Sequence, residues 1–374
     1  MGRQRSAPTG ESAGRPQARR AAGVSSPVAP AAGIGPARDS IAAASAGTGE
    51  SCRTMGVVRE SIGEALVPNR RSLTAEYMAL FRALESSRPA GTRLFVDSDA
   101  PLFLCGWRKW LPRLAALPGG RRLAERLLDR AVPGARAAGV ARTRWIDDEA
   151  TGALETATQL VLLGAGFDMR AFRLLPAAHA RTFELDHPDT SLSKQAILKS
   201  ARRGLPGHIW YVGIDFNRQS IAEVLLNAGF DNSRPACLIW EGVTNYLTAE
   251  AVDRSLRQIG ETAAKGSTLL FTYIDRAVLD NPERFFGARR LIERLRSWGE
   301  PWTFGLDPGE VGSYLAARRL ELLKDVSVSD VWQRAGRSSA EPRGYEFYRL
   351  ASARVGTVAV AGRSEGSEAQ NGSS

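Results

Sequence analysis

Cysteine and histidine are both scarce in this 374-residue chain, with three of each. Cys52, Cys105 and Cys237 stand far apart and form no CxxC pair, so neither a disulfide framework nor a cysteine zinc site is on offer. His179, His187 and His208 include no i, i+4 pair and no HExxH setting, which removes the usual hydrolytic metal centres; no metal is expected. Such sparse thiols suit a reducing compartment, and a cytoplasmic protein is expected. Long apolar runs are missing too. No stretch reaches the roughly 18 residues that a membrane span requires, so no membrane partner is expected.

Lysine is scarce as well: only Lys109, Lys194, Lys199, Lys265 and Lys324 occur, leaving arginine to supply 45 of the 50 basic residues. The formal net charge is +10, and the first 55 residues hold +4 of it, seven arginines against Glu11, Asp39 and Glu50. A nucleic-acid surface would need the arginines gathered on one face with aromatic platforms between them. Their scatter along helical stretches reads as solvated faces, and no nucleic-acid partner is expected.

What is present changes texture along the chain. Residues 1–56 are Ala, Gly, Ser, Pro and Arg with almost no large apolar side chains, too few to offset the entropy of ordering, and read as a disordered leader; Met55 at its end suggests an over-long start. Residues 358–374 read as a second polar tail. Between them, residues 57–150 carry apolar side chains at helical spacing, as in Leu73, Tyr77, Leu80, Phe81 and Leu84, and again in Leu123, Leu127 and Leu128. This part is expected to be a helical cap. Over residues 151–357 short apolar runs alternate with helix-length stretches, at Gln159–Leu163, Thr182–Leu185, Ile209–Ile214, Ala236–Trp240 and Ser267–Ile274. Such strands predict a parallel sheet covered on both faces. Glu321–Val328 and Tyr345–Ala353, joined without a clear helix, predict an antiparallel hairpin at the far edge. The fold class is therefore α/β, a doubly wound, mostly parallel seven-stranded sheet with an N-terminal helical cap and a helical insertion after the fifth strand.

In such a sheet ligands bind beyond the carboxyl ends of the strands, where the winding reverses. The first strand ends in Gly164-Ala-Gly166, where missing side chains permit a tight turn and a ligand against bare backbone. Twenty residues after Gly166, Asp186 ends the second strand and can accept hydrogen bonds from two ribose hydroxyls. Together these predict a cofactor containing adenosine. A dinucleotide site would place a third glycine where Met169 stands, which counts against NAD(P). The third strand ends in Asp215-Phe216, suited to the adenine amino group and ring, and the fourth in Glu241, suited to a cationic sulfonium with its amino-acid tail. Bland roles compete: Arg142 and Arg144 could pair with Asp147 or Asp148 on a helix face, Asp215 could cap a helix, and Glu241 could pair with an arginine. Acids ending three successive strands at one sheet edge favour the ligand reading.

The joint motifs Arg142-Thr-Arg-Trp-Ile-Asp-Asp148, LGAGFDMR with Phe172-Arg-Leu174, FELDHP with Lys194, IDF and WEGVTNYL resemble the leucine carboxyl methyltransferase family. The likeness spans about residues 72–355 and is strongest to its actinobacterial branch of S-adenosyl-L-methionine-dependent enzymes, which includes polyketide carboxyl O-methyltransferases. It implies a class I methyltransferase-like sheet, S-adenosyl-L-methionine as cofactor and a small-molecule acceptor. It also implies that Arg142 contacts the cofactor carboxylate, with Arg144 as the alternative register. Gly164 and Gly166 would line the methionine side, Asp186 hold the ribose, Asp215 and Phe216 flank adenine, and Glu241 close the pocket. Asp97-Ser-Asp-Ala100 departs from the family, which more often has proline after the first aspartate. No residue is assigned as catalytic. A carboxylate acceptor needs no base, so O-methylation of a carboxylate, or of a hydroxyl, on a polyketide-type molecule is expected. An NAD(P)-dependent oxidoreductase and a non-catalytic methyltransferase-like binding module are the alternatives. The helices from about Ser72 to Ala150 and the aromatic insertion Asn281–Thr303, with Phe285 and Trp302, are expected to form together an apolar lid over the acceptor.

Overall fold

Ser72 accepts a hydrogen bond from the Ala75 amide at 3.1 Å and so starts α1 (Leu73–Ser86), whose apolar stripe is buried. α2 (Trp110–Ala115) and α3 (Gly120–Ala131) follow as a short helical pair, and α4 (Ala135–Ala153) carries a face of small residues. Small residues let helices approach: a Cβ added at Gly139 of α4 would stand 2.7 Å from the Phe81 ring of α1. The computed structural model describes residues 72–174, 181–202, 204–336 and 344–356. The leader and tail expected at 1–56 and 358–374 lie outside these residues, which all belong to one unit, Ser61–Ser374.

The sheet follows. β1 (Gln159–Leu163) leads through a glycine turn to α5 (Arg170–Arg173), then come β2 (Arg181–Asp186), α6 (Pro188–Arg202), β3 (Ile209–Gly213) and α7 (Ile221–Asn227). β4 (Ala236–Trp240), α8 (Ala249–Thr262) and β5 (Thr268–Ile274) complete the parallel part. Both faces are covered, as near-continuous apolar strands require. Val161 and Leu163 pack with Leu225 of α7 and Leu256 of α8, while Leu160 and Leu162 pack with Ile146 and Ala150 of α4. The insertion after β5 holds α9 (Ala277–Asp280), a 3-10 turn and α10 (Ala288–Trp298), and α11 (Val311–Ala316) leads to β6 (Leu320–Ser327).

The far edge departs from a simple hairpin. Ser327 ends β6 and caps α12 (Val328–Arg334) through the Asp330 amide, so Val328 belongs to a helix. β7 (Tyr348–Val355) then runs antiparallel between β5 and β6, giving the order β3-β2-β1-β4-β5-β7-β6. β6 is left at the edge, where a bulge between Leu322 and Lys324 and charged side chains blunt it against further pairing. Winding reverses between β1 and β4, so the carboxyl ends of β1, β2, β3 and β4 converge at one place.

Candidate functional site

At that convergence the turn after β1 is held from two sides. The Leu185 carbonyl accepts from the Gly164 and Ala165 amides, and the Asp186 carboxylate accepts from the Gly166 amide and, at 2.6 Å, from the His187 amide. Burial pushes the Asp186 carboxyl up from its ordinary range, and these two amides oppose that shift. Gly164 (φ +71) cannot carry a side chain, because a Cβ there would stand 2.2 Å from Val243. From the other side, Arg82 of α1 donates to the Phe167 carbonyl at 2.6 Å and to Asp97 at 2.8 Å, tying the cap to the glycine turn.

Below the turn lies a buried charge network. Glu241, directly after β4, accepts from Arg142 Nε at 2.6 Å on one oxygen and from Arg170 at 2.5 Å on the other. Arg170, 2% exposed, also pairs with Asp147 at 2.7 Å and Asp168 at 2.5 Å. Burial alone would raise the Glu241 carboxyl, but Arg170 and Arg142 hold it below its usual range. Asp168 is likewise held low, by Arg170 and Arg82 against its burial. Behind it, Lys194 pairs with Glu184 at 2.7 Å and donates to the Asp168 carbonyl; burial pushes Glu184 up to about 7 even so.

Two cavities meet over this floor. The larger, of about 280 Å³, is lined by Gly164 to Asp168, Asp186, Asp215, Phe216, Glu241 and Arg142, and by Thr74, Met78 and Arg82 of α1. The smaller, of about 80 Å³, is walled by Phe81, Val132, Ala138, Leu291, Leu295, Trp298, Trp302, Tyr345 and Tyr348. Thr74, Met78, Arg142, Gly242 and Tyr246 line both and mark their junction. There the Arg142 guanidinium lies 5.0 Å from the Tyr348 ring centre, and its two terminal nitrogens make no hydrogen bond to a described residue. Its pKa is raised: burial opposes the charge, and Tyr348 and Glu241 outweigh it. Burial pushes the Tyr246 hydroxyl up to about 12.

The family model for leucine carboxyl methyltransferase matches residues 75–260. A protein of Parafrankia sp. named as a putative S-adenosyl-L-methionine-dependent methyltransferase is 35% identical over 237 residues, 63% of this chain and 72% of its own length. The chain belongs to the leucine carboxyl methyltransferase family. A second member, from Streptomyces coelicolor and named in the same way, is 35% identical over 212 residues, 55% of this chain and 70% of that one. A crystal structure of a protein of Thermobifida fusca named as a putative methyltransferase is 18% identical with a TM-score of 0.49, covering 76% of this chain and 95% of that one.

The large cavity of this leucine carboxyl methyltransferase family member fits the cofactor its relatives are named for. It offers bare backbone at the glycine turn, an acid at the end of β2, and an arginine fork with open terminal nitrogens beside an anionic floor. Arg142, Gly164, Gly166, Asp186, Asp215, Phe216 and Glu241 are brought together around that one cavity. Arg144 stands apart, pairing with Asp148 at 2.7 Å and donating to the Leu94 carbonyl. Asp215 accepts from the Asn217 amide at 3.0 Å within a turn and does not cap the next helix, which Ser220 caps through the Glu223 amide. Trp302 lines the small cavity, whereas Phe285 lines neither and packs edge-on against Phe347 at 5.8 Å. Sequence reasoning gave no role to Arg170 or Arg82. Arg170 lies in the LGAGFDMR run beside Asp168, the one local signal, while its other two acids, Asp147 and Glu241, come from distant segments.

Proposed function

We propose that this chain transfers a methyl group to a carboxylate oxygen of a small apolar acid, with the donor in the large cavity and the acceptor in the small one. Family membership makes it an S-adenosyl-L-methionine-dependent methyltransferase. The carboxylate reading rests on one observation: the residues lining both cavities, Thr74, Met78, Arg142, Gly242 and Tyr246, include the Arg142 cation and a protonated Tyr246 but no carboxylate or imidazole. An acceptor ionised at neutral pH needs no base.

S-adenosyl-L-methionine, when bound, supplies a methyl group on a sulfonium that is already an activated leaving group. The chain's task is alignment, which can contribute roughly 7 to 11 kcal/mol. In this reading Asp186 accepts from the ribose hydroxyls, Asp215 and Phe216 flank adenine, and Gly164 and Gly166 leave room along the methionine side. Arg142 receives the cofactor's carboxylate on its open nitrogens, and Glu241 fixes its orientation from behind. Tyr345 Oη, buried without a partner among the described residues, is a donor for a polar atom of the acceptor. The lid is α1 with the insertion. Tyr77 stacks on Trp298 at 4.9 Å, and Glu300 accepts from the Leu73 and Thr74 amides at 3.2 and 3.3 Å, which excludes water from the junction.

The reading is tested by the pH dependence of methyl transfer to carboxylic acids and phenols of matched shape, followed by mass. A carboxylic acid is ionised above about pH 5. With Arg142 cationic and Tyr246 protonated, kcat/KM is expected to be flat from about pH 6 to 9. Transfer only to the phenols, with a rate rising tenfold per pH unit, would sink the carboxylate reading.

A further inference from the structure

The helical pair α2–α3 shows an unusual outer face. Its sequence stripe of Leu123, Leu127 and Leu128 would suit a core, yet only Leu128 is buried; Leu123 and Leu127 are each 51% exposed. Along α3 they alternate with Arg122, Arg126 and Arg130, all exposed. Trp110 and Arg113 are exposed on α2 at one-turn spacing, and Trp107 and Lys109 before the helix and Leu117 after it are exposed too. Trp107 and Trp110 are 54% and 63% exposed, with Arg108 and Arg113 against their rings at 5.5 and 4.7 Å. The acids of this segment are turned inward: Glu125 pairs with Arg88 and Asp129 with Arg136. The exposed side chains of α2, α3 and the turn between them are thus basic and apolar, with Glu293 of α10 sharing a surface cavity with Arg130, and here the arginines are gathered with aromatics, not scattered as the sequence suggested.

We propose that this face docks on an anionic phospholipid surface. Exposed tryptophan and leucine interleaved with arginine is the composition of a helix lying in a membrane interface, the apolar groups entering the headgroup layer and the cations meeting lipid phosphates. The sequence predicts no membrane partner because it holds no spanning run, and none of the described helices is long and apolar enough to cross a membrane; a surface contact needs neither. Charge excludes two nearer occupants. A second copy would bring the same positive face, and residues 1–71 carry ten arginines against five acids. Nucleic acid would match the cations and tryptophans but leaves the aliphatic leucines without a base to stack on. The C-terminal end of α3 reaches the small cavity, since the buried Val132, directly after α3, lines it. If that cavity is the acceptor site, as argued above, docking places it beside a store of amphiphilic acids; the docking itself does not depend on that reading.

The experiment is co-sedimentation of the full chain with vesicles of phosphatidylcholine alone and of phosphatidylcholine and phosphatidylglycerol in equal parts, at low and high salt. Binding is expected only to the anionic vesicles and is expected to weaken with salt. Trp107→Ser with Trp110→Ser should abolish it, and Arg113→Gln with Arg126→Gln should weaken it about 25-fold, each basic residue near a charged surface counting for about fivefold. The substituted side chains are exposed, so melting temperature and S-adenosyl-L-methionine affinity should stay those of the parent. Equal binding to neutral vesicles, no binding at all, or full binding by both variants overturns the proposal. So does binding of a single-stranded oligonucleotide without vesicles, or a concentration-dependent dimer that the tryptophan variant loses.

Discussion

Asp186→Ala is expected to weaken S-adenosyl-L-methionine binding about 10- to 150-fold, the loss of a charge-assisted hydrogen bond of roughly 1.5 to 3 kcal/mol. The structure adds a second route to the same loss. The carboxylate also accepts from the Gly166 and His187 amides, so alanine frees the glycine turn that the cofactor would lie against. Asp186→Asn keeps one acceptor oxygen and should retain part of the affinity. Titration calorimetry on both variants checks this, and unchanged affinity in Asp186→Ala would remove Asp186 from the site. Glu241→Ala is a poorer probe, because it strips a shared partner from Arg142 and Arg170 in a buried setting and should lower stability as well. Glu241→Gln, which keeps the shape and one acceptor, separates affinity from folding.

Trp302→Ala is expected to lower kcat/KM for the acceptor roughly thirtyfold, about 2 kcal/mol of lost apolar contact, while S-adenosyl-L-methionine affinity stays near that of the parent. The indole lines the small cavity and sits beside Tyr246, held there by the Thr303 amide donating to the Asn245 carbonyl at 2.8 Å. Phe285→Ala makes the contrast. Its ring packs behind Phe347, away from both cavities, so that change should lower the melting temperature and leave acceptor kinetics alone. Steady-state kinetics, cofactor titration and melting curves on the pair decide the matter. A Trp302→Ala protein that melts lower but turns over the acceptor normally would make the indole packing alone and defeat the lid.

The sheet was legible because its signals are local. Val161 and Leu163 alternate with Leu160 and Leu162 within one short run, and the glycine turn and strand-end acids sit at fixed distances along the chain. Val328 was misplaced in a strand for an equally local reason: a β-branched residue continues an apolar run, and only the Ser327 cap turns it into a helix.

The sequence by itself determined the alternating strands and helices of a mostly parallel sheet and the acids and glycines at its strand ends, since period and spacing are properties of the chain alone. Tertiary structure decided everything that depends on segments far apart in sequence meeting. It joined Glu241 to both Arg142 and Arg170, placed Trp302 rather than Phe285 at the small cavity, set β7 inside the sheet, and turned Leu123 and Leu127 outward among arginines. A buried charge, or an exposed leucine, has no mark in the sequence, because burial depends on which neighbours pack against the residue.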